Sequence, residues 1–460
     1  MFKRTSRMGV ILCTLVIAAA VLILVTGCNR SQASSASSGL KGMNIVFGRW
    51  HNAYDVNTYE PRNEAEEKEL EWRKKIQADY GFKMVIEELA GWDDYFPIVT
   101  TNIMSGNKSV HVYELSGEWA MTLYKQGLLY PISDSSYKLT NTVPVAGQRT
   151  AYNAMIANMF TFGGKQYAGS VGVGGDSWQG NFVFWNKRLL REAGLDPELP
   201  YNMQRDGTWT WENFFNIARQ TTRDTNNDGS IDIYGLPCDD VREVMYALVY
   251  GNNANFVTID SSGRFQNATN TPGFLEAIQF YVRMMEEGVM RPRPAGDDVA
   301  WDWDFTEFVS SRVALYIAPE WRKGQMPDTM VDDYGCVLPP KGPRATDYRM
   351  SLTENVFVIP ALFTPQEVDA ILQAFDLWNV PMDTDWKAGQ YWAFRDRRAV
   401  DETMELTKNA RNVTYRNFSL IPGFDTGSFG EPLRTFRGNP AQLIEQFTPQ
   451  WNALIESANR

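Results

Sequence analysis

From Met43 onward, short apolar blocks alternate with longer segments whose apolar residues recur at helical spacing. "MNIVFGRW" (43–50), "FKMVIEEL" (82–89) and "VHVYELSG" (110–117) predict strands. "NEAEEKELEWRKKIQADYG" (63–81) predicts a helix with Asn63 as N-cap, acidic residues in the first turn and Gly81 as its stop. "DYFPIVTTNIMSGN" (94–107) predicts another. Strand and helix alternating in this way predict βαβ units and a largely parallel sheet. Ligands of such sheets bind beyond the carboxyl ends of the strands. That rim receives Arg49, Trp50 and His51 after the first strand, Gly91 and Trp92 after the second, and Glu118 and Trp119 after the third.

After "FGGKQYAGSVGVGGDSWQGN" (162–181) the pattern restarts. "FVFWNKRLLREAGLD" (182–196) predicts a strand running into a helix, and "TWTWENFFNIARQTTRD" (208–224) a helix capped by Thr210. "TPGFLEAIQFYVRMMEEG" (271–288) predicts a helix with Pro272 in its first turn and Gly288 past its end. "FTEFVSSRVALYIAPEWR" (305–322) predicts helix then strand, "ENVFVIP" (354–360) a strand and "QEVDAILQAFDLWN" (366–379) a helix. No short-period repeat is present, and the restart predicts two α/β lobes.

The N-terminus has a different pattern. "MFKRTSR" is basic, and residues 8–27 carry no charge before "LVTGC" ends at Cys28. The ending resembles a bacterial lipoprotein processing site, which makes residues 1–27 a signal peptide and Cys28 a lipidated N-terminus. Buried lipid CH₂ groups contribute about 0.8 kcal/mol each, so more than one chain anchors stably. A retained transmembrane helix is the other reading of the apolar run. Residues 28–42, rich in Ser, Ala and Gly, form a flexible tether. The expected organisation is an anchor, a leash and a folded body on the extracytoplasmic face of the bacterial membrane.

Composition narrows the chemistry. The 460 residues carry a formal net charge of −11, which argues against a nucleic-acid partner, since phosphate backbones need clustered Lys and Arg. Only Cys238 and Cys336 remain in the body, too few for a disulfide framework, and they are expected as free thiols in different lobes. With His51 and His111 the only histidines, a zinc site or a His-based triad has few candidates. The sequence contains no P-loop and no G-x-S-x-G nucleophile elbow. Fifteen Trp raise the question of which ones line a cleft.

"FWNKRLLREAGLDP", followed by "TWTWENFFNIARQTTRDTNNDGSIDIYGL", resembles a signature region of the bacterial extracellular solute-binding proteins of the maltose-binding-protein class, which serve ABC transporters. "FVSSRVALYIAPEW", "YGCVLPPKGP" and "ENVFVIP" resemble later segments of the same family. Residues 197–207 are longer than the family's connection, and residues 380–460 match only loosely. The resemblance implies a periplasmic-binding-protein-like fold, with two α/β lobes joined by hinge strands and a ligand enclosed between them by hinge closure. Threading on that pattern assigns 43–166 and 300–352 to lobe one, and 167–299 and 353–460 to lobe two.

A sugar presents apolar ring faces and hydroxyl edges, so its site needs flat aromatic platforms and a few placed polar groups. The candidates are Trp50, Trp92, Glu118, Trp119, Asp176, Trp178, Trp301, Trp303, Glu320 and Trp321. The carboxylates Glu118, Asp176 and Glu320 are expected to accept hydroxyl hydrogen bonds. Each Trp has the alternative of serving as core or hinge packing.

"RDTNNDGSIDIYG" (223–235) places Asp224, Asn226, Asp228, Ser230 and Asp232 at alternate positions around Gly229, the spacing of a calcium loop. Its twelfth position is Gly235 where a sensor loop has Glu, and one copy is present, both of which argue against a sensor. A structural calcium ion and a metal-free Asx/Gly turn remain as readings; no cofactor is required. The expected function is a lipid-anchored, monomeric receptor delivering a carbohydrate, an oligosaccharide above others, to ABC permease subunits. The alternatives are a secreted glycosidase, which would need paired carboxylates across the scissile bond, and the same fold holding a peptide or another charged solute, which Arg49, Arg322 and Arg349 keep open.

Overall fold

The computed structural model describes residues 39–51, 53, 55–139, 152–171, 179–238, 241–296, 299–353, 355–380, 386–436 and 438–460. The expected signal peptide, Cys28, Asp176 and Trp178 lie outside them. Among the described residues no helix is long and apolar enough to cross a membrane.

The first run of the chain contains β1 (Asn44–Arg49), α1 (Glu64–Tyr80), β2 (Lys83–Glu88), α2 (Trp92–Met104), β3 (Val112–Ser116), α3 (Gly117–Lys125) and β4 (Ala168–Gly169). Asn63 caps α1 by accepting the Glu66 N–H, and Gly81 ends it in the left-handed region at φ 70°, where a side chain would be strained. β1 pairs in parallel with β2 and β3, as two βαβ units require.

The chain then crosses into a second body. Its elements are β5 (Gln179–Asn186), α4 (Trp211–Thr221), α5 (Val241–Gly251), α6 (Pro272–Glu286), α7 (Trp303–Val309), β6 (Leu315–Pro319), β7 (Tyr334–Val337) and β8 (Met350–Thr353). β6, β7 and β8 all pair antiparallel with β5. Immediately afterwards β9 (Asn355–Val358) returns to the first sheet between β3 and β4, and α8 (Pro365–Trp378) packs on α1. There Trp72 Nε1 donates to the Leu377 carbonyl at 2.8 Å. The last part, α9 (Trp386–Phe394), β10 (Val413–Tyr415), α10 (Gly427–Leu433) and α11 (Pro440–Ala458), goes back to the second body, where β10 pairs with β8.

The two sheets have the orders β2-β1-β3-β9-β4 and β6-β5-β8-β10, with β7 also on β5. This corrects the expected lobe boundaries. Residues 315–353 belong with the second lobe, and 355–378 with the first. Register is the physical reason: Leu315 to Pro319 pair residue by residue with Trp185 to Asn181, and this LYIA strand is buried over its four apolar residues. The same correction puts both cysteines in the second lobe, Cys238 on a strand paired with Met290–Pro292 and Cys336 on β7. Both are buried and stand outside any disulfide, in line with the expected thiols.

One buried ion pair ties the returning C-terminal part to this lobe. Arg416 meets the Glu243 carboxylate with two parallel hydrogen bonds of 3.0 and 2.9 Å, and its guanidinium also covers the Tyr246 ring at 4.0 Å. Losing one partner of such a pair leaves a buried charge uncompensated, at a cost of about 3–5 kcal/mol.

Candidate functional site

The rim of the first sheet is aromatic. Trp50 follows β1, Trp92 opens α2 and Trp119 sits in the first turn of α3, so three βα junctions bring together residues distant in sequence. The Trp92 and Trp119 ring centroids are 4.4 Å apart, and Trp50 meets both nearly edge-on at 5.2 and 5.6 Å. Phe96 stacks on Trp119 at 5.3 Å. Trp92 is 51% exposed, so the cluster ends in an open indole face.

Beneath this platform lies a polar knot. The buried Glu114 carboxylate on β3 accepts Arg49 Nε at 2.6 Å and Asn355 Nδ2 at 2.8 Å, with His51 Nε2 at 3.4 Å. Burial pushes this carboxyl up, but the hydrogen bond with His51 and the Arg49 charge outweigh it and hold the group at about 2. The Tyr95 hydroxyl donates to the Gly48 carbonyl at 2.7 Å, pinning α2 to β1. These bonds fix the strand ends that carry the tryptophans.

The rim of the second sheet holds a cavity of about 760 Å³. It opens where β6 ends at Pro319 and is walled by Tyr316, Trp301, Trp321 and, from α10, Gly427, Ser428, Gly430, Glu431 and Pro432. The Trp301 and Trp321 centroids are 6.3 Å apart with planes 32° from parallel, and their exposures are 71% and 40%. Arg322 lies under this pair, 4.3 Å from the Trp321 ring centre and 4.7 Å from that of Trp301.

The expected site residues therefore divide. Trp50, Trp92 and Trp119 meet in one cluster, and Trp301 and Trp321 in another. Trp303 is half-buried in the first turn of α7 and is not among the cavity's described walls. Glu320 is buried in an ion pair with Lys323, which also donates to Gln390 Oε1 at 2.7 Å, so its carboxylate is already engaged. Glu118 accepts the Gly423 N–H at 2.8 Å. Sequence reasoning passed over Phe96, Arg242, Arg293 and Arg434. Only the tryptophans carried a local signal; the arginines converge from α5, from the segment after Met290–Pro292 and from the end of α10.

The calcium-like loop is held by its own backbone. The Asp224 carboxylate accepts the Asn227 N–H at 2.7 Å through one oxygen and the Gly229 N–H at 2.8 Å through the other. Asp232 accepts both the N–H and the hydroxyl of Thr225, and Asn226 and Asp228 each accept the amide two residues on. These are Asx turns, with Asn227 and Gly229 in the left-handed region at φ 60° and 89°. Among the described residues no three His, Cys, Asp or Glu side chains converge as a metal site.

Comparison with known proteins bears on this two-rimmed architecture. Residues 71–370, more than half of the chain, match the family model of the bacterial extracellular solute-binding proteins. The chain belongs to that family. A search of curated protein sequences finds no match. Among solved structures, this solute-binding protein resembles the ABC substrate-binding protein Lmo0181 of Listeria monocytogenes in complex with cycloalternan, at 16% identity and a TM-score of 0.61 over 90% of this chain and 99% of that one. UgpB of Mycobacterium tuberculosis, in complex with glycerophosphocholine, gives 15% identity and 0.63 over 90% and 98%. The cyclic alpha-maltosyl-1,6-maltose binding protein of Arthrobacter globiformis gives 15% and 0.62 over 90% and 99%. At these identities the likeness establishes the two-lobed fold. The family is one of extracytoplasmic binding proteins rather than enzymes.

Proposed function

We propose that this solute-binding protein is the lipid-anchored receptor of an ABC importer, and that it encloses an oligosaccharide between its lobes by hinge closure. The carrying observation is the pair of aromatic platforms, Trp50–Trp92–Trp119 on one sheet rim and Trp301–Trp321 on the other. Indole faces cover the apolar faces of sugar rings, and each platform leaves a Trp open to a ligand. Hinge closure brings two such platforms onto one chain of sugars. Two structural neighbours were solved or named with oligosaccharides, cycloalternan and cyclic alpha-maltosyl-1,6-maltose, which supports this ligand class. The lipid anchor rests on the sequence ending "LVTGC" at Cys28, and the permease partner on the ABC substrate-binding role in a structural neighbour's name.

The test is calorimetry of the full chain in mild detergent against a panel of oligosaccharides, with each ligand recovered afterwards. Saturable binding of uncleaved sugar is the expected result. Recovered fragments would make the protein a glycosidase, and no binding across the panel would remove the sugar receptor.

A further inference from the structure

The cavity on the second rim is basic in an acidic protein. Arg242, Arg293, Arg322 and Arg434 line it, against two carboxylates, Asp304 and Glu431, while the whole chain has a net charge of −11. Guanidinium groups keep their charge at any pH a cell experiences. Arg434 is paired with Glu431 and Arg242 acts on the Asp425 carboxylate, yet arginines outnumber carboxylates along the cavity wall.

Two of these groups have unmet hydrogen-bonding capacity. Arg322 is 4% exposed, and its Nε–H is buried without a partner. Its Nη1 is taken by Gln325, and the Trp301, Trp321 and Phe305 rings surround the guanidinium plane, holding it in place. Arg434 pairs with Glu431 through Nη2, but its Nε–H is also buried and unpartnered. Buried donors are almost always satisfied, and each one left unpaired costs about 1–3 kcal/mol. Both side chains belong to the wall of one cavity, which makes it the place where acceptor oxygens would be recognised. Planar carboxylates and tetrahedral sulfates both offer paired oxygens to the fork of a guanidinium, and an indole beside it suits the ring that carries the acid.

We infer that the second-rim cavity receives an acidic saccharide, a chain whose rings rest on Trp301 and Trp321 and whose carboxylate or sulfate groups are bound by Arg322, Arg434, Arg242 and Arg293. The inference rests on the sugar-receptor reading above and specifies the charge of its ligand.

The experiment titrates the full chain in mild detergent with a uronate tetrasaccharide, a sulfated tetrasaccharide, a neutral tetrasaccharide of the same length and inorganic sulfate. Binding of at least one acidic saccharide at least tenfold tighter than the neutral one is expected, with weakening as salt is raised. The double variant Arg242→Gln/Arg434→Gln, which leaves buried Arg322 intact, is expected to lose at least tenfold for the acidic ligand. Its affinity for the neutral sugar should change less than threefold. Neutral sugar binding as tightly as both acidic ones would overturn the inference and leave the sugar receptor standing. Silence toward all three saccharides would remove both, and binding of inorganic sulfate alone would make the cavity a site for free anions and overturn the acidic saccharide.

Discussion

The Glu118 carboxylate accepts the Gly423 backbone N–H at 2.8 Å, joining the first turn of α3 in one lobe to the segment before α10 in the other. Close packing accompanies this bond. A Cβ on Gly117 would approach the Tyr415 hydroxyl to 3.0 Å, so the two lobes touch here through a residue without a side chain. The contact bears on the lobe arrangement. Glu118→Ala is expected to lower stability by about 1 kcal/mol, the worth of one hydrogen bond, and to change ligand affinity less than tenfold. A urea titration and a binding isotherm of the same variant check both parts.

The tryptophan platforms are expected to behave differently. Trp321→Ala and Trp92→Ala each remove an open indole face while leaving the buried aromatic neighbours in place. Each should weaken oligosaccharide binding more than tenfold, with an unfolding midpoint close to that of the parent. Unchanged affinity in both variants would move the ligand away from these two rims.

Acid should act through Glu114. Its carboxyl is held at about 2, below the ordinary value of 4.5, so the folded state binds that proton less readily than the unfolded chain. The stability it contributes is therefore complete above the unfolded value and is lost as pH falls from about 4.5 to about 2. A shift of this size corresponds to about 3 kcal/mol. Glu114→Gln should lower stability at pH 7 and flatten the fall across that window, as read from urea midpoints at a series of pH values.

The loop 224–232 is expected to fold without a cation, because its carboxylates already accept the loop's own amides. Its melting transition should be the same in a chelator and in millimolar calcium. A rise of several degrees with calcium would show that Asp224, Asp228 and Asp232 rearrange to bind it.

Cys28→Ser should abolish lipid labelling and move the mature chain from the membrane fraction to the medium when its signal is cleaved by another route. Lipid label that persists in this variant would place the anchor elsewhere.

The local elements were legible because their causes are local. Asn63 and Gly81 bound α1 through contacts within a turn, and the apolar run of "ALYIAP" is a strand in either lobe. Tryptophans after strand ends were legible as rim residues for the same reason. Which lobe β6 and β9 join was not legible, since a buried apolar strand satisfies its backbone against any partner of fitting register. That choice is made by pairings such as Leu315 with Trp185 and Asn355 with Ser116. The fate of Glu320 and Glu118 was decided in the same way, by Lys323 and Gly423 arriving beside them. The basic cavity is tertiary altogether. Its four arginines are separated by whole elements, and only the packing of α5, β6 and α10 turns scattered charges into one site.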